Sequence, residues 1–138
     1  MNPIDMPVEE FTTPFPVTAK ESASIDELRE LMKRHEIRHL PIVTGETVVG
    51  IVSDRDLKLA AGLTRDEKRQ VFARDIMSPE PITVSSNDSL CDVAFEMSEK
   101  KIGSVIVNDE TDKMIGIFTV TDALNALVEV IRAEASPR

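Results

Sequence analysis

Residues 50–57 read GIVSDRDL and residues 116–124 read GIFTVTDAL. Both stretches begin with glycine, continue through apolar residues and reach a serine or threonine that is followed three positions later by aspartate. The apolar part is typical of a buried strand, and the Ser/Thr-x-x-Asp part is typical of the first turn of a helix. Since the same strand-to-helix junction occurs twice, we expect two copies of one module.

The repetition extends upstream of both stretches. Ile37 and Ile102 are 65 positions apart (102 − 37 = 65), whereas the two glycines are 66 apart (116 − 50 = 66), so copy two contains one inserted residue, in a polar turn. Two copies of this length indicate halves that bury their apolar faces against each other, because neither half alone has much core. The other pairs at the shorter offset are Thr13/Ser78, Pro14/Pro79, Pro16/Pro81, Thr18/Thr83, Ile25/Leu90 and Met32/Met97.

The composition excludes several classes of partner. Among 138 residues, 25 are acidic and 16 are Lys or Arg, and the formal net charge of −9 argues against nucleic acid and anionic membrane surfaces as partners. No apolar run approaches the roughly 20 residues of a membrane helix, so we expect a cytoplasmic protein. Cys91 is the only cysteine, which rules out an intrachain disulfide and predicts a plain packing role in a helix.

Copy one is predicted to form helix, strand, strand and helix. Residues 40–43 and 48–52 are short runs rich in β-branched side chains, and the turn at 44–47 between them predicts a strand pair. A helix precedes these strands, with either Ser22 or Ser24 as its cap. Its apolar stripe has spacings of three and four: Ile25, Leu28, Leu31 and Met32.

Copy two repeats this order of elements. Strands are predicted at 104–107 and 114–118, around a turn at 108–112. The helix before them has the stripe Leu90, Val93, Ala94 and Met97. The last helix carries an apolar face wide enough to cover the module and to contact another subunit, formed by Leu124, Leu127, Val128, Val130 and Ile131.

A short helix is predicted to join the copies. Residues 64–67, Thr-Arg-Asp-Glu, have the pattern of a capping box, and the helix that they open is expected to reach Ala73. The predicted organisation is therefore a first domain at 8–63, a linking helix at 64–73 and a second domain at 74–132.

The chain resembles the tandem cystathionine-β-synthase (CBS) domain pair, known as the Bateman module. The two motif stretches carry this resemblance together with residues 37–43 (IRHLPIV) and 76–79 (IMSP), and it covers about residues 8–132. It implies an α/β (α+β) fold of two pseudo-symmetric CBS domains, each with a small mixed sheet packed against two helices.

The resemblance also implies clefts between the domains that bind an adenosine-containing regulatory ligand, such as AMP, ADP, ATP or S-adenosylmethionine, with no cofactor required. The motif suits this role, because the N–H groups and hydroxyl at Ser53 can donate to phosphate and the Asp56 carboxylate can accept from both ribose hydroxyls. Thr119 and Asp122 would act in the same way in copy two, where Thr121 replaces Arg55.

In the family, each cleft combines the leading segment and first strand of one domain with the motif of the other. One implied site combines Val17, Thr18, Ile37, Arg38 and His39 with Thr119, Thr121 and Asp122. The other combines Ile82, Thr83, Ile102, Gly103 and Ser104 with Ser53, Arg55 and Asp56. Each site then holds at least one arginine that suits a phosphate, Arg38 in the first and Arg55 in the second.

A purely structural interpretation stays open for each of these residues. Ser53-x-x-Asp56 is also a helix cap, worth about 0.5–2 kcal/mol without any ligand. Gly50 and Gly116 can serve a close strand approach, and Arg38 and Arg55 can be solvated partners of neighbouring acids. The isoleucines can be core residues, and His39 a partly exposed packing residue.

The sequence shows no catalytic constellation, so we expect a binding protein and not an enzyme. His35 and His39 are four apart, but a break between helix and strand at Ile37 should separate them, so no metal site is predicted. The first hypothesis is a regulatory module, a homodimer that transmits ligand binding to its dimer interface or to an unidentified regulated protein. The second is a constitutive dimerisation scaffold with empty clefts, and a remote third is a detached sensor of a transporter or dehydrogenase.

Overall fold

The computed structural model describes residues 6–14 and 16–135, which fall into two compact units. Unit A is Pro16–Pro81, and unit B combines the described residues before Pro16 with those from Ile82 onwards. The units therefore do not coincide with the sequence copies, since the leading segment of each copy belongs to the unit of the other.

In chain order the elements are a 3-10 helix Val8–Phe11, β1 Thr13–Pro14, β2 Ala19–Lys20, α1 Ile25–His35, β3 His39–Thr44, β4 Thr47–Ser53, α2 Asp54–Ala60, α3 Arg65–Lys68, α4 Ala73–Ile76, β5 Ser78–Pro79, β6 Thr83–Ser85, α5 Leu90–Lys100, β7 Ser104–Asn108, β8 Met114–Thr119 and α6 Val120–Ala135.

Each unit contains one four-stranded mixed sheet. In unit A the order is β2-β3-β4-β5, with β2 parallel to β3 and the other neighbours antiparallel. In unit B the order is β1-β8-β7-β6, with β6 parallel to β7 and the other neighbours antiparallel. The helices and the two mixed sheets confirm the predicted fold class.

The predicted helix stripes and strand pairs form the two cores. In unit A the fully buried side chains come from α1 and the central strands, and include Ile25, Leu28, Leu40, Ile42 and Val52. In unit B they include Val105, Val107 and Phe118, together with Val8 from the leading segment of copy one. The contribution of Val8 shows that the second sheet is completed by the start of the chain.

The caps fix where the helices of each unit begin and end. Ser24 caps α1, because its Oγ accepts a hydrogen bond from the Glu27 N–H at 3.1 Å. At the other end, Glu36 is left-handed with φ 54°, and Lys101 has the same conformation after α5 with φ 55°. These residues turn the chain from helix into strand, which confirms the predicted break before β3.

Three local expectations are wrong. The capping box at Thr64 forms, but its helix ends at Lys68 and a separate helix starts at Ala73, so no continuous linking helix exists. Cys91 lies on α5 as expected, yet it is exposed and so has no packing role. The apolar face of α6 does not cover the module, because its large side chains remain exposed: Leu124 by 57%, Leu127 by 53%, Val128 by 44% and Ile131 by 56%.

Among the described residues, no helix is long and apolar enough to cross a membrane.

Candidate functional site

The motif of copy one forms a complete capping box at the junction of β4 and α2. Ser53 Oγ accepts from the Asp56 N–H at 3.2 Å, and Asp56 Oδ2 accepts from the Ser53 N–H at 2.8 Å and from the Ser53 hydroxyl at 3.0 Å. Within residues 6–14 and 16–135, no group donates a hydrogen bond to Asp56 Oδ1. One oxygen of this carboxylate is therefore committed to the cap, while the other can accept from a ligand.

The motif of copy two has the same cap and one further bond. Asp122 Oδ2 accepts from the Thr119 N–H at 2.8 Å and from the Thr119 hydroxyl at 3.1 Å, and Thr119 Oγ1 accepts from the Asp122 N–H at 3.3 Å. In addition, the Thr13 hydroxyl donates to Asp122 Oδ1 at 3.1 Å. The second oxygen of Asp122 already has a partner, so a ligand hydroxyl would share it with Thr13 or displace Thr13.

Each motif lies beside the first strand of its own copy. The Asp54 N–H donates to the Arg38 carbonyl at 2.8 Å, and the Val120 N–H makes the equivalent bond to the Gly103 carbonyl at 3.1 Å. The strand registers agree, since His39 is opposite Ser53 and Ser104 is opposite Thr119. These bonds occupy most of the N–H groups at each helix start, so a phosphate would depend on side chains more than the sequence suggested.

The glycine of each motif allows the leading segment of the other copy to approach. β1 pairs with β8 so that Pro14 is opposite Gly116, and a β-carbon at Gly116 would collide with the backbone oxygen of Thr13. In unit A, β5 pairs with β4, and a β-carbon at Gly50 would collide with the Met77 side chain and lie 2.9 Å from the Ser78 oxygen. Close strand approach is thus a sufficient reason for both glycines.

Within each unit, the structure brings together candidate residues of the same copy. Arg38 and His39 lie with Ser53 and Asp56 in unit A, and Gly103 and Ser104 lie with Thr119 and Asp122 in unit B. The expected cross-copy grouping joins residues of separate units and stays a prediction. It combines Val17, Thr18, Ile37, Arg38 and His39 with Thr119, Thr121 and Asp122, and Ile82, Thr83, Ile102, Gly103 and Ser104 with Ser53, Arg55 and Asp56. What each unit does combine across copies is the motif and a leading segment.

The charged residues of the candidate set are concentrated in copy one. Arg38 and Arg55 are exposed, and neither guanidinium lies within ion-pairing distance of an acid in the described parts of the chain. Asp54, the acid that directly precedes Arg55 in the sequence, pairs with Lys58 at 3.1 Å. The two arginines therefore remain available to an anionic ligand.

His39 is largely buried beside these groups, and burial lowers its pKa from the ordinary value of 6.5. The nearby Asp56 carboxylate opposes this effect and raises the pKa, the Arg38 guanidinium lowers it further, and Asp54 raises it. The net shift of the pKa is downward, which favours the neutral imidazole, a form that can donate one hydrogen bond without adding a charge.

The apolar candidates belong partly to the cores. Val17 and Ile37 are half-buried against the core of unit A, and Ile82 and Ile102 against the core of unit B. Thr18 is half-buried, whereas Thr83 at the start of β6 and Thr121 on α6 are exposed. The half-buried side chains can contact a flat adenine ring only through their exposed part.

Sequence reasoning did not assign Thr13 to the site. Its hydroxyl contacts Asp122 across 109 positions of the chain. A signal was present, because Thr13-Pro14 and Ser78-Pro79 both place a hydroxyl before a proline at the same point of the repeat. Within the described residues, the Ser78 hydroxyl makes no hydrogen bond to Asp56, so the two copies differ here.

In residues 6–14 and 16–135, no three His, Cys, Asp or Glu side chains are grouped so that they could hold a metal ion. His35 is exposed on α1, and His39 lies beyond the left-handed turn at Glu36.

The comparison with known proteins identifies the family. The CBS domain model matches residues 8–62 and 73–129, so the chain belongs to the CBS domain family and carries two of these domains in tandem. This match confirms the resemblance that the motifs indicated.

Two similar structures are CBS pairs with adenosine compounds bound. CBSX2 of Arabidopsis thaliana in complex with AMP is 30% identical and has a TM-score of 0.78, with 91% of this chain and 98% of that chain covered. The CBS domain pair of protein MJ0100, in complex with 5′-methylthioadenosine and S-adenosyl-L-methionine, is 28% identical with a TM-score of 0.77, and the alignment covers 94% and 98% of the two chains.

A much longer relative contains a similar segment. Homoserine O-acetyltransferase of Methanocorpusculum labreanum is 37% identical over 116 residues, which are 83% of this chain and 23% of that enzyme. The chain thus spans less than a quarter of the length of this relative.

Proposed function

We propose that this CBS pair is a regulatory module that binds adenosine-containing ligands, namely AMP, ADP, ATP or S-adenosylmethionine, at the two Ser/Thr-x-x-Asp motifs. Its action is binding and not catalysis, and the ligand is a regulatory one with no cofactor required. The similarity to CBSX2 and MJ0100, whose structures contain AMP and S-adenosyl-L-methionine respectively, supports this ligand class.

The observation that carries the proposal is that the two oxygens of the Asp56 carboxylate have different roles. A residue that served only as a helix cap would be satisfied through Oδ2, and Oδ2 accepts both bonds from Ser53. Oδ1 remains without a donor in the described parts of the chain, on a half-buried side chain held in one orientation. A fixed acceptor of this kind suits the hydroxyls of a ribose, because hydrogen bonds to a charged group are the stronger ones.

The two sites should prefer different adenosine ligands. The Asp56 site has Arg38, Arg55 and the neutral His39 nearby, which favours ligands with phosphate groups. The equivalent positions at the Asp122 site are Gly103, Thr121 and Ser104, none of which is charged. With the residues grouped within each unit, we assign nucleotide phosphates to the Asp56 site and expect the Asp122 site to select ligands by ribose and base. The family-based grouping, which places Arg38 with Asp122, instead predicts a phosphate contact at both sites.

Ligand binding would be transmitted through a homodimer or a regulated partner protein. The surface that supports a homodimer is the stripe Val120, Leu124, Leu127 and Ile131 on α6, whose members are each about half exposed. Four large apolar side chains along one helix face form a patch of the kind that marks interaction sites. The same stripe favours the second candidate function, a constitutive dimerisation scaffold whose sites stay empty. A cytoplasmic location remains a prediction.

The test is isothermal titration calorimetry with AMP, ADP, ATP and S-adenosylmethionine on the wild type and on the variants Asp56→Ala and Asp122→Ala. Each variant should lose one of the wild-type sites in the titration. In a separate thermal-shift measurement, ligand at a hundred times its dissociation constant should raise the free energy of unfolding of the wild type by about 2.7 kcal/mol. If both variants bind as the wild type does, the ribose assignment is wrong. If the wild type binds none of the four ligands, the scaffold function replaces the regulatory one.

A further inference from the structure

A groove on the helical side of unit A combines a positively charged rim with an apolar floor. It has a volume of about 440 Å³ and lies between α1 and α2, reaching α3. Four basic side chains line it, Arg29, Lys33, Lys58 and Lys68, with Asp54 as the one acid among its lining residues, so its formal charge is +3 (4 − 1 = 3). A quarter of the chain's 16 lysines and arginines meet here, on a protein whose net charge is −9.

The acids nearby leave much of this charge unneutralised. Lys58 pairs with Asp54 at 3.1 Å, and Arg29 reaches Asp26 only at 3.7 Å. No carboxylate of the described residues lies within ion-pairing distance of the Lys33 or Lys68 ammonium groups. Bringing like charges together has a cost that a bound anion would remove.

The positive surface continues beyond this groove. A second depression of about 490 Å³ shares Lys68 with the first and adds Arg65 and Arg69, with Asp26 as the one acid among its lining residues. Arg69 lies 3.8 Å from Asp66, a contact at the limit of an ion pair. Lysines and arginines from three helices thus face one continuous surface.

Copy two shows that the fold does not need these charges. The equivalent groove in unit B has a volume of about 480 Å³ and keeps the floor, with Met97 and Ile102 at the positions of Met32 and Ile37. On its rim, Ala94 and Ser98 stand where copy one has Arg29 and Lys33, and Lys101 is the one charged side chain among its lining residues. Since the same helix pair forms without the two cations, their role in copy one is not to support the fold.

We propose that the basic groove of unit A is a binding site for a compact multivalent anion of the polyphosphate class. Such an anion would pair with Arg29 and Lys33 from α1, Lys58 from α2 and Lys68 from α3, and would hold these three helices together. Several charges in a small volume are required, because each exposed ion pair alone contributes little. The site is distinct from the two ribose sites, whose aspartates do not line this groove.

The chain supplies a reciprocal pair of test variants. Arg29→Ala/Lys33→Ser gives copy one the residues of copy two, and Ala94→Arg/Ser98→Lys does the reverse. Tripolyphosphate, which has no base or ribose, is the probe, titrated by calorimetry at constant ionic strength. The wild type should bind it, the first variant about tenfold more weakly through the loss of two ion pairs, and the second variant should gain a site.

Two controls separate this site from the proposed nucleotide function. Asp56→Ala, which removes the proposed ribose contact, should leave tripolyphosphate binding to the groove unchanged because the probe has no ribose, and Arg29→Ala/Lys33→Ser should leave AMP binding unchanged. Equal tripolyphosphate binding by the wild type and Arg29→Ala/Lys33→Ser, including no binding by either, would overturn the proposal. A change of molecular mass in that variant without any anion would also overturn it, since the groove would then be a protein contact. If neither the wild type nor any of the variants binds AMP, the nucleotide proposal fails, but the tripolyphosphate titrations still test the basic groove.

Discussion

Copy one and copy two share a backbone framework and differ in the chemistry around it. Both copies have the Ser/Thr-x-x-Asp cap, the bond from the helix start to the first strand, and a left-handed residue before that strand. Around Asp56, copy one places Arg38, His39 and Arg55, whereas copy two has uncharged residues around Asp122. The helices also differ. In copy one, α1 and α2 carry the basic rim of the groove, whereas in copy two α6 carries the apolar stripe.

Comparing the two copies distinguishes the features that the fold requires from those that it does not require. A feature present in both copies, such as the capping box, is explained by the need to start a helix at that point. A feature present in one copy only has no such explanation, since the other copy folds without it. The arginines of copy one and the exposed leucines of copy two therefore carry the proposals about phosphate binding and dimerisation, whereas the ribose proposal rests on the aspartates that both copies share.

The largest expected effect is on association through α6. Leu124→Lys places at this position the residue that copy one has at Lys58. If the stripe forms a two-fold interface, each dimer loses two buried leucines, at a cost of about 3 kcal/mol or more, which weakens dimerisation at least about a hundredfold. Light scattering over a concentration series measures the change.

The control for this prediction is the exposed Leu59 of copy one, 74% exposed, changed to the asparagine found at the equivalent position 125. Leu59→Asn should leave the mass unchanged. A wild type that is already monomeric, or a Leu124→Lys variant that still dimerises like the wild type, would refute the α6 interface.

The second effect concerns stability at the two motif glycines. Gly116→Ala drives a methyl group into the Thr13 backbone, which cannot move without disrupting β1, and should cost about 2–3 kcal/mol. Gly50→Ala meets the flexible Met77 side chain first and should cost less, about 1–2 kcal/mol. Urea unfolding of both variants gives the ranking. Equal costs, or a larger cost at Gly50, would show that β1 is not held as closely as we describe.

The smallest effect is the pH dependence caused by His39. Because its pKa is lowered in the folded state, the unfolded chain takes up a proton first as the pH falls below about 6.5, and the folded state loses stability relative to the unfolded one. The wild type should therefore lose free energy of unfolding between about pH 7.5 and about pH 5.5 relative to His39→Gln, which does not titrate there. His35→Gln, at an exposed position, is the control. A wild-type and His39→Gln difference that is constant with pH would contradict the assignment.

The sequence was a good guide wherever a repeated local pattern determined the structure. The period of 65 to 66 residues, the helix stripes and the strand pairs could all be read directly, because burial imposes the spacing of apolar residues. The cap at Thr64 was predicted from its capping-box pattern, and Ser24 is one of the two residues expected to cap α1.

What the sequence could not show depends on contacts between distant segments. The bond from Thr13 to Asp122 and the burial of Val8 arise because the start of the chain joins the sheet of copy two. The length of the helix in the linking segment could not be predicted either, because a capping box determines where a helix starts and not where it ends. The exposure of the α6 stripe was missed because an apolar face indicates burial without saying against what.

If Asp56 and Asp122 hold the ribose of an adenosine ligand, binding must depend on the two ribose hydroxyls, and this dependence can be measured by changing the ligand. Calorimetric titration of the wild type would compare AMP with its 2′,3′-dideoxy analogue, which keeps the base and phosphate and lacks both ribose hydroxyls. Loss of two hydrogen bonds to a carboxylate should weaken binding about a hundredfold or more. Equal affinity for AMP and the dideoxy analogue would contradict the account, because the aspartates would then be helix caps alone.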